Sequence, residues 1–425
     1  MDAVLICGIG FVVFSMIIRI PVSFAVGMSA VLYGLVSGKI PMEAMTHRMA
    51  LATESWPIMA VPFFVLMGNA LNQGKSGRCL MDLANCLVGT IWGGLASVSI
   101  VISMFFGGCS GSAVADASSV GTVLIPEMVR RGYGKGYSAA VNAASSTIGI
   151  IIPPSIPMIL YGWITEVSIR KLFLAGLIPG VMVGLAQITV AAFLGYKRNY
   201  YRAERPSMKV IWGHLKMSLP AMFTPILVIG GILIGIYTTT EAAIIGALYV
   251  ILIEIVIYRE MKLSDLYRII IDSAKITGVV LFLIANSFML TYVILLSRLP
   301  IIVTTYLQPL IPNATVALLV IAGILLVTGC FLDLAPALLI FTPILYPFAL
   351  KFGISPIQLG VVIVMVLAVG LFTPPVGQTL YISALIAGAP IEEVSRDILW
   401  FIGSIVIVVV MVIFINPMTM WLAAF

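Results

Sequence analysis

Gly149-Ile150-Ile151-Ile152-Pro153-Pro154 and Gly370-Leu371-Phe372-Thr373-Pro374-Pro375 place the same break in two apolar runs, 221 residues apart. Each proline lacks an amide donor and clashes with the carbonyl of the preceding turn, so two in succession force an unwound stretch. A single proline kink is ordinary in a membrane helix. A break repeated at one offset is not. The same offset maps Gly108-Cys109 onto Gly329-Cys330 and Pro126 onto Pro347. With small shifts, Gly27 matches Gly246 and Gly68-Asn69 matches Ala285-Asn286. Landmarks in the same order at one spacing indicate an internal duplication.

The composition says where the duplicated unit lives. Hydrophobic residues make up 61% of the 425-residue chain, charged residues 9%, and the mean hydropathy is +1.17. A soluble domain carries roughly a quarter charged residues. A membrane helix needs roughly 20 apolar residues, so the chain holds about a dozen segments and no extramembrane domain. The first apolar run has only Asp2 ahead of it and reads as an uncleaved span, not a signal peptide. Five scattered cysteines and two histidines exclude a disulfide framework and a transition-metal centre. The net charge of +6 does not point to nucleic acid, because the basic residues sit at membrane boundaries.

Apolar segments fall at about 3–18, 22–40, 57–73, 88–106, 113–128, 137–163 and 172–195, then at 217–236, 238–257, 277–296, 312–328, 335–350, 357–386 and 399–421. The repeats are therefore expected at 1–196 and 217–425, joined by a basic connector, 197–216. That connector sets Lys197, Arg198, Arg202, Arg205, Lys209 and Lys216 against Glu204 alone, and the positive-inside rule places it in the cytoplasm. Residues 258–275 read as an amphipathic helix on the same surface. Threading from these loops puts both termini outside and leaves only Lys39, Arg48, Arg170, Lys171, Arg298 and Lys351 outside among the basic residues.

The first half then starts outside and ends inside if about 88–128 is a re-entrant hairpin. The centre of that stretch, Gly107-Gly108-Cys109-Ser110-Gly111-Ser112 followed by Asp116, has the bare, polar character of a turn at membrane depth. Such a turn must line a cavity or be buried in protein. Charge counting alone does not separate it from two full spans. Its counterpart, about 312–350, carries Thr328-Gly329 and Asp333 at its tip. The expected fold is an all-α polytopic membrane protein of two inverted repeats, each with a hairpin and a Pro-Pro broken helix (about 137–163 and 357–386), as in many secondary transporters.

The chain resembles the large membrane (permease) subunit of tripartite ATP-independent periplasmic (TRAP) transporters over its whole length. The likeness rests on Val61-Pro62-Phe63-Phe64-Val65-Leu66-Met67-Gly68-Asn69, Gly108-Cys109-Ser110-Gly111-Ser112-Ala113-Val114-Ala115-Asp116 and Ile152-Pro153-Pro154-Ser155-Ile156-Pro157. It continues through Thr239-Thr240-Glu241-Ala242-Ala243, Phe331-Leu332-Asp333 and Thr373-Pro374-Pro375-Val376-Gly377. The resemblance implies an elevator-type importer in a bacterial inner membrane, coupled to Na⁺ and working with two partners. These are a small four-helix membrane subunit and a periplasmic binding protein that delivers an organic anion. Gln378-Thr379 departs from the apolar residue and Asn that many members carry after this motif. Sialic acid or another carboxylated sugar is therefore as good a candidate substrate as a C4-dicarboxylate.

Lys and Arg are nearly absent from the hairpins and breaks. An anion would be held by helix N-terminal amides, and Na⁺ by carbonyls and hydroxyls. One sodium site is expected among Gly108, Ser110, Gly111, Ser112, Thr147, Gly149 and Pro153, and a second among Thr328, Gly329, Asp333, Gly370, Thr373 and Gly377. Ser155, Gln378 and Thr379 are candidate substrate contacts. Asp116 and Asp333 lie near sodium or cap helices. Glu241 reads as a helix-start residue. No cofactor beyond Na⁺ is expected. The alternatives are a stand-alone sodium/carboxylate symporter and, remotely, an intramembrane aspartyl protease built on the two aspartates.

Overall fold

The computed structural model describes residues 20–38 and 41–424, without the side chains of 108–110. The expected segment at 3–18 lies outside the described residues, as do Lys39 and Ile40. Helices dominate, and among the described residues there is no strand.

The first half runs α1 Val22–Ser37, α2 Met42–Thr53, α3 Ala60–Gln73 and α4 Lys75–Val88. Next come hairpin arms α5 Gly94–Ser110 and α6 Ala113–Arg130, then α7 Lys135–Ser145, which tightens into a 3-10 turn, Ser146–Ile150. After the break come α8 Ile156–Thr165 and α9 Ile169–Lys197. The second half opens with α10 Met208–Ile234, α11 Thr239–Leu252 with a π-helical end Ile253–Ile257, and α12 Leu263–Leu296. It continues with α13 Leu299–Leu307, hairpin arms α14 Ala314–Gly329 and α15 Leu334–Lys351, and α16 Pro356–Gly370. Beyond the second break lie α17 Gln378–Ala387, α18 Ile391–Phe414 and α19 Pro417–Ala423. Six described helices (α9, α10, α11 with its π end, α12, α15 and α18) are long and apolar enough to cross a membrane.

The halves pack on each other reciprocally. Helix α17, beyond the second break, rests on α6 and α7 of the first half. Helix α8, beyond the first break, rests on α15 and α16 of the second. This is the relation expected of two inverted repeats. The helices leading into the breaks form the centre. Every residue of α7 from Gly136 to Ser145 is buried, and so is every residue of α16 from Gln358 to Gly370. A helix hidden on all faces needs mostly small or apolar side chains, and both have them, with the amides Asn142 and Gln358 hydrogen-bonded. Tyr161 of α8 donates to the Pro356 carbonyl at 2.7 Å, fixing one of the cross-half contacts.

Two readings of the sequence change. Residues 258–275 do not form a separate surface helix: from Leu263 on they are the first turns of the 34-residue α12. In the first half Pro57 follows α2 closely and breaks the chain before α3. No proline or glycine interrupts the corresponding run 263–277, so there the helix continues. The basic stretch 197–216 is half helical, since α9 ends at Lys197 and α10 begins at Met208. The Glu241 reading is borne out: Thr238 and Glu241 form a capping box at the start of α11.

The short connector after α9 is tied down. Arg198 makes a two-pronged ion pair with Asp397 of α18 and lies over the Tyr137 ring. Asp397 lowers the free energy of the charged guanidinium and raises its pKa further above the usual arginine range. The Asp397 side chain is 11% exposed, so breaking the pair strands a mostly buried charge. Arg198→Ala, which leaves Asp397 unpaired, is expected to destabilise by about 2 kcal/mol, and Arg198→Met combined with Asp397→Leu to recover most of that loss. Thermal unfolding of the detergent-solubilised protein measures both.

Candidate functional site

Each hairpin tip closes on the break of its own half through a pair of glycines. In the first half the pair is Gly107 and Gly149: a Cβ on Gly107 would stand 2.0 Å from the Gly149 Cα. In the second half it is Gly329 and Gly370: a Cβ on Gly370 would stand 2.5 Å from the Gly329 carbonyl carbon and oxygen. Only glycine lets two backbones approach this closely. The approach sets the last turn before each break, a 3-10 turn at Gly149 and the end of α16 at Gly370, against the end of the hairpin's first arm.

The prolines remove the donors that a continuous helix would offer to the carbonyls of Gly149 and Ile150, and to those of Gly370 and Leu371. Some of these oxygens are served otherwise. Ser155 donates to the Ile150 carbonyl. Thr379 lies within hydrogen-bonding distance of the Leu371 carbonyl through both its amide and its hydroxyl, each at 3.0 Å. The Pro153-Pro154 and Pro374-Pro375 peptide bonds are both cis, a further match between the halves.

The first tip is the more buried. Gly111 makes its turn at φ +59, and a Cβ there would lie 3.2 Å from the Pro154 carbonyl oxygen. Ser112 caps α6, accepting from the Ala115 amide at 3.4 Å. Thr147 is fully buried and donates to the Ala144 carbonyl at 2.7 Å. Asp116, in the first turn of α6, is fully buried, and its Oδ2 would stand 2.8 Å from a Cβ on Gly149. Gly108 and Ser110 complete the tip, and the Ser110 side chain lies outside the described residues.

At the second tip Thr328 donates to the Leu325 carbonyl at 3.2 Å, and Thr373 to the Val369 carbonyl at 2.6 Å. Asp333 caps α15, accepting from the Leu334 amide at 2.8 Å. Gly377 precedes α17 at a point where a Cβ would meet the Leu371 carbonyl at 2.8 Å. Ser112 and Asp333 are the same position of the repeat, and both are N-caps. The Asp116 position is Ala337 in the second half, so only the first tip carries a carboxylate inside its hairpin arm.

The three candidate substrate contacts separate. Gln378 is exposed and lies against the Asp333 side chain. Thr379 is fully buried and also within hydrogen-bonding distance of the Ala143 carbonyl of α7, at 3.1 Å. Ser155 is fully buried as the cap of α8, accepting from the Met158 amide at 3.3 Å. Sequence reasoning missed Asn142 of α7, which donates at 2.8 Å to the Ala117 carbonyl of α6 and at 2.9 Å to Ser383 Oγ of α17. It pins the first hairpin to the helix beyond the second break. An amide in an otherwise small and apolar run was the signal available. Among the described residues no cluster of His, Cys, Asp and Glu could hold a transition metal.

Residues 9–418 match the family model described as "Tripartite ATP-independent periplasmic transporter, DctM component". The chain belongs to this family. It is 35% identical to the 2,3-diketo-L-gulonate TRAP transporter large permease protein YiaN of Escherichia coli, over 88% of each chain. It is 32% identical to the C4-dicarboxylate TRAP transporter large permease protein DctM of Pseudomonas aeruginosa, over 93% of each. It is also 32% identical to the sialic acid TRAP transporter large permease protein SiaM of Vibrio cholerae, over 92% of each. Among solved structures it is similar in fold to the Alcanivorax borkumensis YdaH transporter, with a TM-score of 0.62 over 88% of each chain at 15% identity. This DctM-family chain is thus a multi-pass membrane subunit of a TRAP transporter, and the family is one of transporters, not enzymes.

Proposed function

We propose that the chain is the permease of a Na⁺-driven importer of an organic acid anion, working by elevator movement of its hairpins and broken helices. The observation that carries this is the paired glycine contact, which sets a hairpin tip against proline-broken backbone once in each half. Such a junction offers carbonyl and hydroxyl oxygens to a hard cation, with helix N-termini nearby for a carboxylate. The sodium ligands would come from residues 108–112 with 147–154, and from 328–333 with 370–377. Gln378, exposed beside Asp333, is the side chain best placed to meet the substrate.

The relatives named above carry a diketo sugar acid, C4-dicarboxylates and sialic acid in their names, so a carboxylate is the shared chemistry. The partners in this reading are a separate small membrane subunit and a periplasmic binding protein. The site is a bacterial inner membrane, with both termini on the periplasmic side.

Uptake into proteoliposomes tests the reading, with the two partners present and a panel of sugar acids and dicarboxylates offered. Uptake should need an inward Na⁺ gradient and cease when choline replaces Na⁺. Ser112→Ala and Thr373→Ala should each raise the half-saturating Na⁺ concentration about three- to tenfold, the loss of one oxygen contact. Unchanged Na⁺ dependence in both would remove the site assignment, and uptake indifferent to choline would remove the coupling. Saturable uptake by the chain without a binding protein would turn the reading to a stand-alone symporter.

A further inference from the structure

Helix α4 joins two parts of the molecule that the proposed function sets in relative motion. At its near end it follows α3, which packs on α11. At its far end it passes through Gly89, Gly93 and Gly94 into hairpin arm α5. Gly93 is packed against α9, where a Cβ would stand 2.5 Å from the Ala191 carbonyl oxygen. Helix α9 in turn packs along α5. The far end of α4 is thus bound to the hairpin, and the near end to α11. The repeat places α13 at the same point of the second half.

The near end is closed by a carboxylate that the site does not use. Glu254 lies in the π-helical turn Ile253–Ile257 and is fully buried. A π turn adds a residue to the helical ring and redirects the side chains in it, and such turns recur at functional positions. Here it aims Glu254 at the start of α4. Glu254 Oε2 accepts from the Lys75 amide at 2.9 Å, Oε1 accepts from the Ser76 amide at 2.9 Å, and Ser76 Oγ donates to Oε1 as well.

Among the described residues no basic side chain pairs with Glu254. Lys75 and Arg78 both turn to Glu260 instead. The buried charge is therefore held by the first amides of α4 and by that helix's dipole. The fit leaves no slack beside it: a Cβ on Gly74 would stand 2.1 Å from Glu254 Oε1. The second half has no equivalent. Its N-cap is the exposed Arg298, in the left-handed conformation at φ +58, and no side chain caps α13.

The geometry points to Glu254 as the pivot of the α4 arm: a buried carboxylate that fastens the arm's first turn to α11 while the arm swings with the hairpin. A carboxylate suits the task. It offers about four lone-pair directions, and N–H donors tolerate roughly 30° of misalignment, so the contacts survive rotation of the helix axis. Gly74 supplies the bare backbone at the bend. Glu254 touches neither substrate nor ion in this arrangement and acts as a positioning residue. The proposal rests on the elevator reading given above.

The test uses the full chain, assembled with its partners in proteoliposomes. Glu254→Ala should lower the maximal uptake rate on the order of tenfold, the loss of charge-assisted contacts in a moving state. The half-saturating Na⁺ and anion concentrations should stay unchanged. Glu254→Gln keeps an acceptor oxygen and should recover most of the rate. Gly74→Ala should also slow uptake, yet add nothing in a Glu254→Ala background, because the atom its Cβ meets is gone. If Glu254→Ala does not fold, Gly74→Ala carries the test: a lowered maximal rate with unchanged half-saturation supports the pivot, and a wild-type rate overturns it.

Hydrogen exchange at the amides of Lys75 and Ser76 reports the joint independently of transport. Faster exchange there in Glu254→Ala, with a wild-type maximal rate, would make Glu254 a static cap and overturn the proposal. So would a loss expressed in half-saturation instead of rate. A disulfide between α3 and α5 that leaves wild-type uptake intact would overturn the moving-hairpin reading itself, and the pivot with it.

Discussion

Gly149→Ala should abolish uptake while the protein still reaches the membrane in normal amount. The added Cβ would stand 2.6 Å from the Gly107 Cα and 2.8 Å from Asp116 Oδ2. The first neighbour is backbone and has no rotamer to change. The second belongs to a fully buried carboxylate in the first turn of α6. Either the hairpin or the break must move, and overpacking of this kind costs about 1–3 kcal/mol. Applied to a junction that has to open and close around ions, the upper end of that range corresponds to about 100-fold in rate. Gly107→Ala should be as damaging, since its Cβ would come within 2.0 Å of the Gly149 Cα. Membrane insertion follows hydropathy, which alanine preserves. Gly323→Ala is the control, because nothing lies within 4 Å of a Cβ at that position of α14. Initial uptake rates in vesicles, normalised to the amount of transporter, decide it. Near-normal uptake in both Gly149→Ala and Gly107→Ala would show that the tip does not need this contact.

The broken helices were legible because Pro-Pro is a chemical interruption that no packing can repair, and because it occurs twice at one spacing. The first hairpin followed from glycine and serine at the centre of an otherwise apolar run, and the second from its place in the repeat. What the sequence concealed depends on helical phase and on partners. Repeat alignment pairs Gly108 with Gly329, and Gly107 beside it meets the break at the Gly149 Cα. The second arms, α6 and α15, keep the 221-residue offset, since Ala113 and Leu334 both start helices. Helices α4 and α13 went unseen because segments this short, and in α4 partly charged, do not register as membrane spans. Residue type identified Ser155 and Thr379 as polar groups at the breaks, but not that both are buried and engaged with backbone groups. Glu254 was invisible for the opposite reason. A lone acid at the end of an apolar run reads as a boundary charge until its contact with the start of α4 is known.

The second half should answer glycine substitution in one direction only. A Cβ on Gly370 would stand 2.5 Å from both the carbonyl carbon and the oxygen of Gly329, so Gly370→Ala should lower uptake by about 10- to 100-fold, again the range set by overpacking. The reverse change is different. A Cβ on Gly329 would lie 3.4 Å from the Gly370 Cα and 3.5 Å from Leu367 Cδ2, which are ordinary van der Waals contacts. Gly329→Ala should therefore keep uptake within about twofold of wild type, because its Cβ fills space without displacing backbone. The first half lacks this asymmetry, as both of its glycines face backbone at less than 3 Å. Comparing the four alanine variants in one uptake assay reads the two junctions separately. The same samples, titrated with Na⁺, say whether Gly329→Ala leaves the ion dependence intact. Equal damage from Gly329→Ala and Gly370→Ala would mean that the second hairpin closes further on its break during transport than it does here. That would place the working motion at the second tip, whose hydroxyl and carboxyl groups already bond within their own helices.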